Sequence, residues 1–351
     1  MAEKVSAIAK KSSILLTIIG TGLGILALFW VLRNFDLDKF LQTIARTDYS
    51  FLVILSGFII LEQAFRGFKW GLILKPFGKI GVLPLFGAVM LGYFSNYLVP
   101  VRISPLVRGW VISRIKKLNL STVLATIGVD RLIDGLVFIV FSILAALFIN
   151  FPEQEDQVRE GILFGTAISF VAFVVVIVVI LVVQHFLGKG RNPINLVTKW
   201  LPSRWELRVT EFFKTFVESA IMPKNGLIVA LIVATAVVMK LIAASHFYWV
   251  GLAFGVALQF WHYIFLMVFL GYLIILVGLV RIAGGFTAGV IFVLGSFGVA
   301  IEDALAMTLT LFAVSKLSVG VCGLGSFWGL GIKLSEIRHE GSASGSTEEP
   351  C

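Results

Sequence analysis

Residues 161–184 carry no charged side chain, and as a helix at 1.5 Å per residue they would extend about 36 Å. The hydrocarbon core of a bilayer is about 30 Å thick, so a run of this kind is built to cross one. Further apolar runs occupy 13–32, 50–74, 83–99, 122–149, 227–256, 263–280, 286–300 and 304–332. Only 14% of the 351 residues are charged against 58% hydrophobic, with a mean hydropathy of +0.99. Soluble domains carry about a quarter charged residues, and their interiors could not hide this much apolar surface. The expected fold class is therefore an all-α polytopic membrane protein. Two cysteines, Cys322 and the terminal Cys351, exclude a disulfide-stapled secreted fold. No polar stretch is long enough for a soluble catalytic domain. The net charge of +9 is explained by cytoplasmic loops and lipid phosphate, without nucleic acid.

The placement of Lys and Arg decides how the runs cross. Lys4, Lys10 and Lys11 precede the first run, which is long for a signal peptide and lacks a small-residue cleavage site, so it reads as a retained helix. If 83–115 and 262–300 each enter and leave on one face as re-entrant hairpins, segments 1–12, 75–81, 114–118, 185–225 and 333–351 share one side. They hold 17 basic residues, whereas the opposite face holds Arg33, Lys39, Arg46 and Arg159. Making 83–99 a full crossing would reverse the bias that keeps basic loops cytoplasmic. The expectation is six full transmembrane helices plus two hairpins, with both termini cytoplasmic. Residues 1–340 form one membrane domain, with inverted repeats at about 50–149 and 226–332. A flexible tail, 341–351, follows.

The remaining eight basic residues lie within apolar segments, among them Arg66, Lys69, Arg102, Arg108, Arg131, Lys240 and Arg281. An arginine near the bilayer centre costs roughly 3 kcal/mol on insertion scales and needs a partner or a wet cavity. Two of them share a local pattern. Leu98–Val99–Pro100–Val101–Arg102–Ile103 is echoed by Leu276–Val277–Gly278–Leu279–Val280–Arg281–Ile282, and helix breaks follow at Ser104–Pro105 and Gly284–Gly285. Glu62 and Lys240 precede the two arginines at nearly equal spacing. Paired broken helices in inverted repeats are a transporter plan. Half-helices starting near Leu106 and Phe286 would offer free N–H groups to an anion. Arg102 and Arg281 would grip a phosphate beside them, with Asn96 and Ser104 adding hydrogen bonds. The alternative is that each tip is a structural kink whose arginine pairs with a carboxylate such as Glu62 or Asp134.

Asp130, Arg131 and Asp134 form a second constellation, the two carboxylates sharing a helix face. They either shape and gate the anion cavity or lock hairpin to span as ion pairs, and Glu62 with Arg66 carries the same two readings. Lys69, Trp70 and Lys75 are expected at the cytoplasmic interface, as are His246 and His262 at an interface. In the cytoplasmic segment at about 194–222, Val209, Phe212, Phe213, Phe216, Val217 and Ile221 make one helical face. It would lie in the headgroup region or pack beneath the bundle. No P-loop, zinc spacing or nucleophile elbow occurs, so no cofactor, metal or catalytic residue is expected.

The run Asn96–Tyr97–Leu98–Val99–Pro100–Val101–Arg102 with Arg108, followed by Asp130–Arg131–Leu132–Ile133–Asp134, resembles the flippase-like membrane domain of lysylphosphatidylglycerol synthases. Ala283–Gly284–Gly285 resembles that family's Pro–Gly–Gly element, and the likeness covers essentially the whole chain. Ser104–Pro105 stands where the family has Gly–Glu, and the second hairpin lacks the usual prolines and a following Glu. The chain ends soon after its last span, so the aminoacyltransferase domain and lysyl transfer are not expected. The resemblance implies movement of a phospholipid, or a polyprenyl-phosphate-linked lipid, between leaflets of a bacterial or archaeal inner membrane.

The expected function is thus a lipid flippase, not an enzyme. It would hold an anionic headgroup at Arg102, Arg281, Arg108, Arg131, Asn96, Ser104, Gly284 and Gly285, with Glu62, Arg66, Asp130, Asp134 and Lys240 as a charge network. The partners are membrane lipids, with a homo-oligomer left open. The rival readings are a membrane-embedded enzyme acting on a lipid headgroup, and a scaffold subunit.

Overall fold

The computed structural model describes residues 35–98, 103–148, 156–189, 192–198, 203–280 and 284–331, with the single residues 29 and 33. Every regular element among them is helical. In chain order these are α1 (Leu37–Ala45), α2 (Ser50–Leu74), α3 (Val82–Leu98), α4 (Ser104–Lys116), α5 (Leu120–Phe148) and α6 (Asp156–Gly188). There follow α7 (Ile194–Thr198), α8 (Ser203–Ser219), α9 (Gly226–Ala253), α10 (Phe260–Val280), α11 (Gly285–Ser296) and α12 (Ile301–Gly329). Helices α2, α5, α6, α9 and α12 are long and apolar enough to cross a membrane. They are five of the six expected spans, and the first, 13–32, lies outside the described residues. On α6, Phe164, Ile168, Phe170, Val171 and Val175 are all exposed. A helix that shows apolar side chains on nearly every side is stable only against lipid or protein.

The chain divides into two compact units. One comprises Met1–Glu62, Asp134–Ile177 and Val237–Ser315. Within it, α1 is capped by Asp36, whose carboxylate accepts from the N–H groups of Asp38 and Lys39. It is fastened to the start of α12, where Asp303 accepts from Thr43 Oγ1 at 2.8 Å and Arg46 Nη2 at 2.7 Å, and Glu302 accepts from the Asp36 N–H. Both acids sit in the first turn of α12, where the helix dipole favours them. Helices α10 and α11 run antiparallel, since Phe269 meets Phe292 and Phe265 meets Phe297. Tyr272 ties α10 to its neighbours through Thr166 Oγ1 on α6 at 2.9 Å and Ser142 Oγ on α5 at 3.1 Å.

The other unit comprises Gln63–Ile133, Val178–Ala236 and Lys316–Cys351. Helices α3 and α4 have 17 and 13 residues, about 25 and 20 Å, both short of a full crossing. They also pack antiparallel, with Gly92 against Ser104 and Arg108 while Leu85 and Ala88 share a core with Val111 and Ile112. Trp70 and Leu74 of α2 and Val123 and Ile127 of α5 complete that core. Helix α8 docks on this unit. Ser219 Oγ donates to Thr122 Oγ1 at 3.1 Å, and the Phe216 ring lies over Gly128. Phe212 and Phe213 stay exposed. Part of the apolar face therefore packs against α5, and part is left uncovered. The helix stops at Ser219, short of Ile221, and the Gln184 amide donates to the carbonyls of Val217 and Ala220.

Candidate functional site

Along α2 the buried positions are Leu55, Ile59, Gln63, Arg66, Lys69, Trp70, Ile73 and Leu74. This stripe has helical period, so the geometry that buries the leucines and isoleucines also turns Arg66 and Lys69 inward. A buried cation demands a counter-charge. Asp130 of α5, itself 0% exposed, supplies it: its carboxylate lies 3.0 Å from Lys69 Nζ and 3.2 Å from Arg108 Nη2 of α4. One acid thus joins α2, α4 and α5. The Arg108 guanidinium also stands over the Trp70 ring at 5.0 Å. The Trp70 indole N–H donates to Thr126 Oγ1 at 3.0 Å, which donates on to the Val123 carbonyl. Arg66 donates from Nε to Gln63 Oε1 at 3.2 Å and lies over the Tyr93 ring.

Arg108 is only 1% exposed, yet its Nε and Nη1 have no hydrogen-bond partner among the described residues. Ser104 Oγ, one helical turn earlier on the same face of α4, is likewise buried and unpartnered. Leaving such donors unused costs about 1–3 kcal/mol each, more for charged groups. The face is one a bound anion would complete. Opposite it, α3 presents Gly92, where a Cβ would sit 2.8 Å from Ser104 Oγ and 2.9 Å from the Ser104 carbonyl oxygen. Glycine is what lets the two short helices meet across polar atoms.

The start of α4 differs from the expectation of free N–H groups. The Ser104 N–H donates to Asn96 Oδ1 at 3.0 Å, Pro105 has none, and those of Leu106 and Val107 both go to the Ile103 carbonyl. Asn96 therefore closes the break, and the anion-binding chemistry of α4 rests on side chains and dipole. Helix α11 is preceded by Gly284, in the left-handed region at φ 78°, with no side-chain cap and Gly285 buried behind it.

Arg102 and Arg281 lie outside the described residues. Arg131 is exposed, so it does not join Arg108 in the buried network, although it follows Asp130 directly. Asp134 is buried. Lys240 holds its ammonium over the Phe138 ring at 5.1 Å. Glu62 Oε2 lies 3.8 Å from His246 Nε2. Two interface readings are corrected. Lys69 and Trp70 are fully buried members of the network, and only Lys75 is exposed. His246 is an intramembrane partner of Glu62, whereas His262 does sit in the first turn of α10, against Phe297. Lys69, Trp70, Thr126 and His246 were thus missed. The α2 periodicity carried the signal for the first two, and no local pattern carried it for the others.

Fold and site together define a multi-pass α-helical membrane protein with an ion-pair network buried among short and long helices. The chain belongs to the family described as the lysylphosphatidylglycerol synthase TM region, which matches it over residues 17–323. That membership ties it to membrane lipids. No curated protein and no solved structure matches the chain significantly.

Proposed function

We propose that the protein moves a phosphate-bearing lipid, a phospholipid or a polyprenyl-phosphate-linked lipid, between membrane leaflets without altering it chemically. The observation that carries this reading is the buried Arg108 with two donors unused among the described residues, one turn from the Ser104 hydroxyl, which is likewise unpartnered among them. A phosphate oxygen accepting from those groups would satisfy them and add a negative charge beside Lys69 and Arg108, which share one carboxylate. Asp130 and Trp70 hold the guanidinium in place, so the site needs little reorganisation when the headgroup arrives. The acyl chains stay in lipid throughout.

The charge pattern supports a cytoplasmic placement of both termini, in an inner membrane, with α3–α4 and α10–α11 as hairpins that enter and leave on one face. Segments 50–149 and 226–332 then read as inverted repeats, and Arg102 and Arg281 stand at their breaks.

The test is leaflet exchange of a fluorescent anionic phospholipid in vesicles containing the full chain. Exchange well above protein-free vesicles, with the lipid recovered at unchanged mass, is the expected result. Losing charge-assisted hydrogen bonds of about 1.5–3 kcal/mol should slow Arg108→Gln roughly tenfold or more. Lys69 still neutralises Asp130 in that variant, so its fold is retained. Lipid recovered with a new mass, or no exchange, would overturn the reading.

A further inference from the structure

Helix α12 carries a lysine at its middle. Lys316 lies about 22 Å from Ile301 and about 20 Å from Gly329, too deep for its four-carbon stem to reach headgroup level. It is exposed, and it has no hydrogen bond or ion pair among the described residues. Arg66, Lys69 and Arg108, by contrast, are buried. A charge inside the membrane is retained against its insertion cost where it meets a partner or a wet path, and it marks an ion or substrate route.

The register of α12 on α3 sets what Lys316 faces. Lys316, Gly323 and Leu330 are seven residues apart, so they share one face of α12. Gly323 lies against Phe94 and the Met90 carbonyl of α3, and Leu330 lies against Gly87. The two helices are thus antiparallel, and each step back along α12 is a step forward along α3. Seven residues before Gly323, Lys316 comes level with the end of α3 at Leu98, where Tyr97 and Leu98 are exposed. Met90 and Phe94 each stand two residues from Gly92, about 160° round the helix from the glycine that meets Ser104 and Arg108. Helix α3 therefore separates α12 from α4, and Lys316 sits where that separation ends. Across the end of α3 lie the first turn of α4 and its buried Ser104 hydroxyl, unpartnered among the described residues, with Arg108 one turn further on. Toward the start of α3 the same two helices leave an apolar groove of about 520 Å³, between Leu83, Phe86 and Gly87 and Cys322, Ser326 and Leu330. The Ser326 hydroxyl is turned onto the Cys322 carbonyl. An ammonium at one end and an uncharged groove at the other suit an amphiphile with an anionic head.

We propose that Lys316 is the outer phosphate contact of the lipid path, receiving the headgroup at the end of α3 and passing it to Ser104 and Arg108 while an apolar chain of the lipid lies in the α3–α12 groove. The two cations divide the work by their chemistry. A lysine ammonium is a point charge on a flexible stem, able to follow a phosphate as it moves. The Arg108 guanidinium is fixed between Asp130 and the Trp70 ring. One catches and the other holds. A lipid without an anionic head gains nothing from either.

This inference rests on the transport reading, and binding measured beside stability keeps the failures apart. The full chain is titrated with phosphatidylglycerol by native mass spectrometry, with diacylglycerol as the phosphate-free control. Lys316→Met keeps the length of the stem and removes its charge. Losing one charge-assisted contact should weaken phosphatidylglycerol binding about tenfold and leave diacylglycerol binding as it was. Lys316→Arg should restore most of the difference. The Met variant should unfold no earlier than the wild type, because an unpaired charge has left the membrane. A lysine that merely holds the helices would behave otherwise, with earlier unfolding and weaker binding of both lipids, and that result overturns the proposal. So does unchanged phosphatidylglycerol binding in Lys316→Met, which leaves the role of Arg108 standing. Excess inorganic phosphate should not displace the lipid; full displacement would make the site one for free phosphate and overturn the assignment to a lipid. A wild type that binds both lipids alike sinks this proposal and the transport reading together.

Discussion

The helix pairs α3–α4 and α10–α11 start from matching sequence patterns and end with different chemistry. In the first, the contacts near the break are polar: Asn96 to the Ser104 N–H, Gly92 beside the Ser104 hydroxyl, and Arg108 reaching across to Asp130. In the second, the described contacts are rings against rings, with Phe269 on Phe292, Phe265 on Phe297 and His262 on Phe297. Each pair has a glycine facing its partner helix, Gly92 or Gly289, but these make room for different things. Gly92 admits a hydroxyl and a carbonyl, while Gly289 admits the end of the Leu273 side chain. A duplicated pattern of break and spacing sets where helices stop. Which pair holds charge is decided by what the neighbouring long helix presents, Asp130 in one case and Ser142, bonded to Tyr272 of α10, in the other.

The largest effect should come from removing the acid on which the polar pair depends. Asp130→Leu leaves Lys69 and Arg108 buried without their shared counter-charge, a loss of about 3–5 kcal/mol. Denaturation in detergent should show it as a large drop in unfolding midpoint. An unchanged midpoint would mean that the network does not hold α2, α4 and α5 together. The glycines come next and separate the two pairs directly. Gly92→Ala presses a methyl against the Ser104 carbonyl oxygen, part of the backbone, and should cost about 1–3 kcal/mol. Gly289→Ala clashes only with the far end of the Leu273 side chain, touching Leu270 and Phe269 at ordinary contact distance, so its cost should stay below about 1 kcal/mol. Equal losses would erase the distinction between a polar and an apolar crossing.

The spans were legible because apolarity over about 20 residues is a local property that no tertiary contact overrides. The breaks were legible for a similar reason, since Pro105 and Gly284 act on their own backbones. What escaped was partner choice. Lys69 and Trp70 were placed at the cytoplasmic interface, although the Leu55–Ile59–Gln63–Arg66 stripe already turned them inward. Arg108 and Asp130 meet only through the register of α4 on α5, and Glu62 and His246 only through α2 on α9, which no spacing encodes. The N–H groups at the start of α4 looked available because the break hid a side chain, Asn96, that reaches back to fill one of them. Arg102 and Arg281, the residues first singled out, lie outside the described part of the chain.

Two changes at the breaks give the finest comparison of the pairs. Gly284→Ala forces a Cβ onto a residue at φ 78° and should cost about 1 kcal/mol, through backbone strain alone. Asn96→Ala removes an acceptor and leaves the Ser104 N–H to seek another. Hydrogen bonds within membrane proteins average about 0.6 kcal/mol, because freed groups find substitutes, so the stability loss should be near that value. The substitute matters more than the loss. An N–H released at Ser104 points from the first turn of α4, one turn from the unused donors of Arg108, and becomes one more donor for an anion. Asn96→Ala should therefore bind a phosphate-bearing lipid at least as tightly as the wild type while unfolding slightly earlier, and Gly284→Ala should lose stability without gaining affinity. Lipid titration by native mass spectrometry beside a denaturation curve reads both quantities. Weaker lipid binding in Asn96→Ala would show that Asn96 touches the headgroup itself, and would make the polar break part of the binding site instead of its frame.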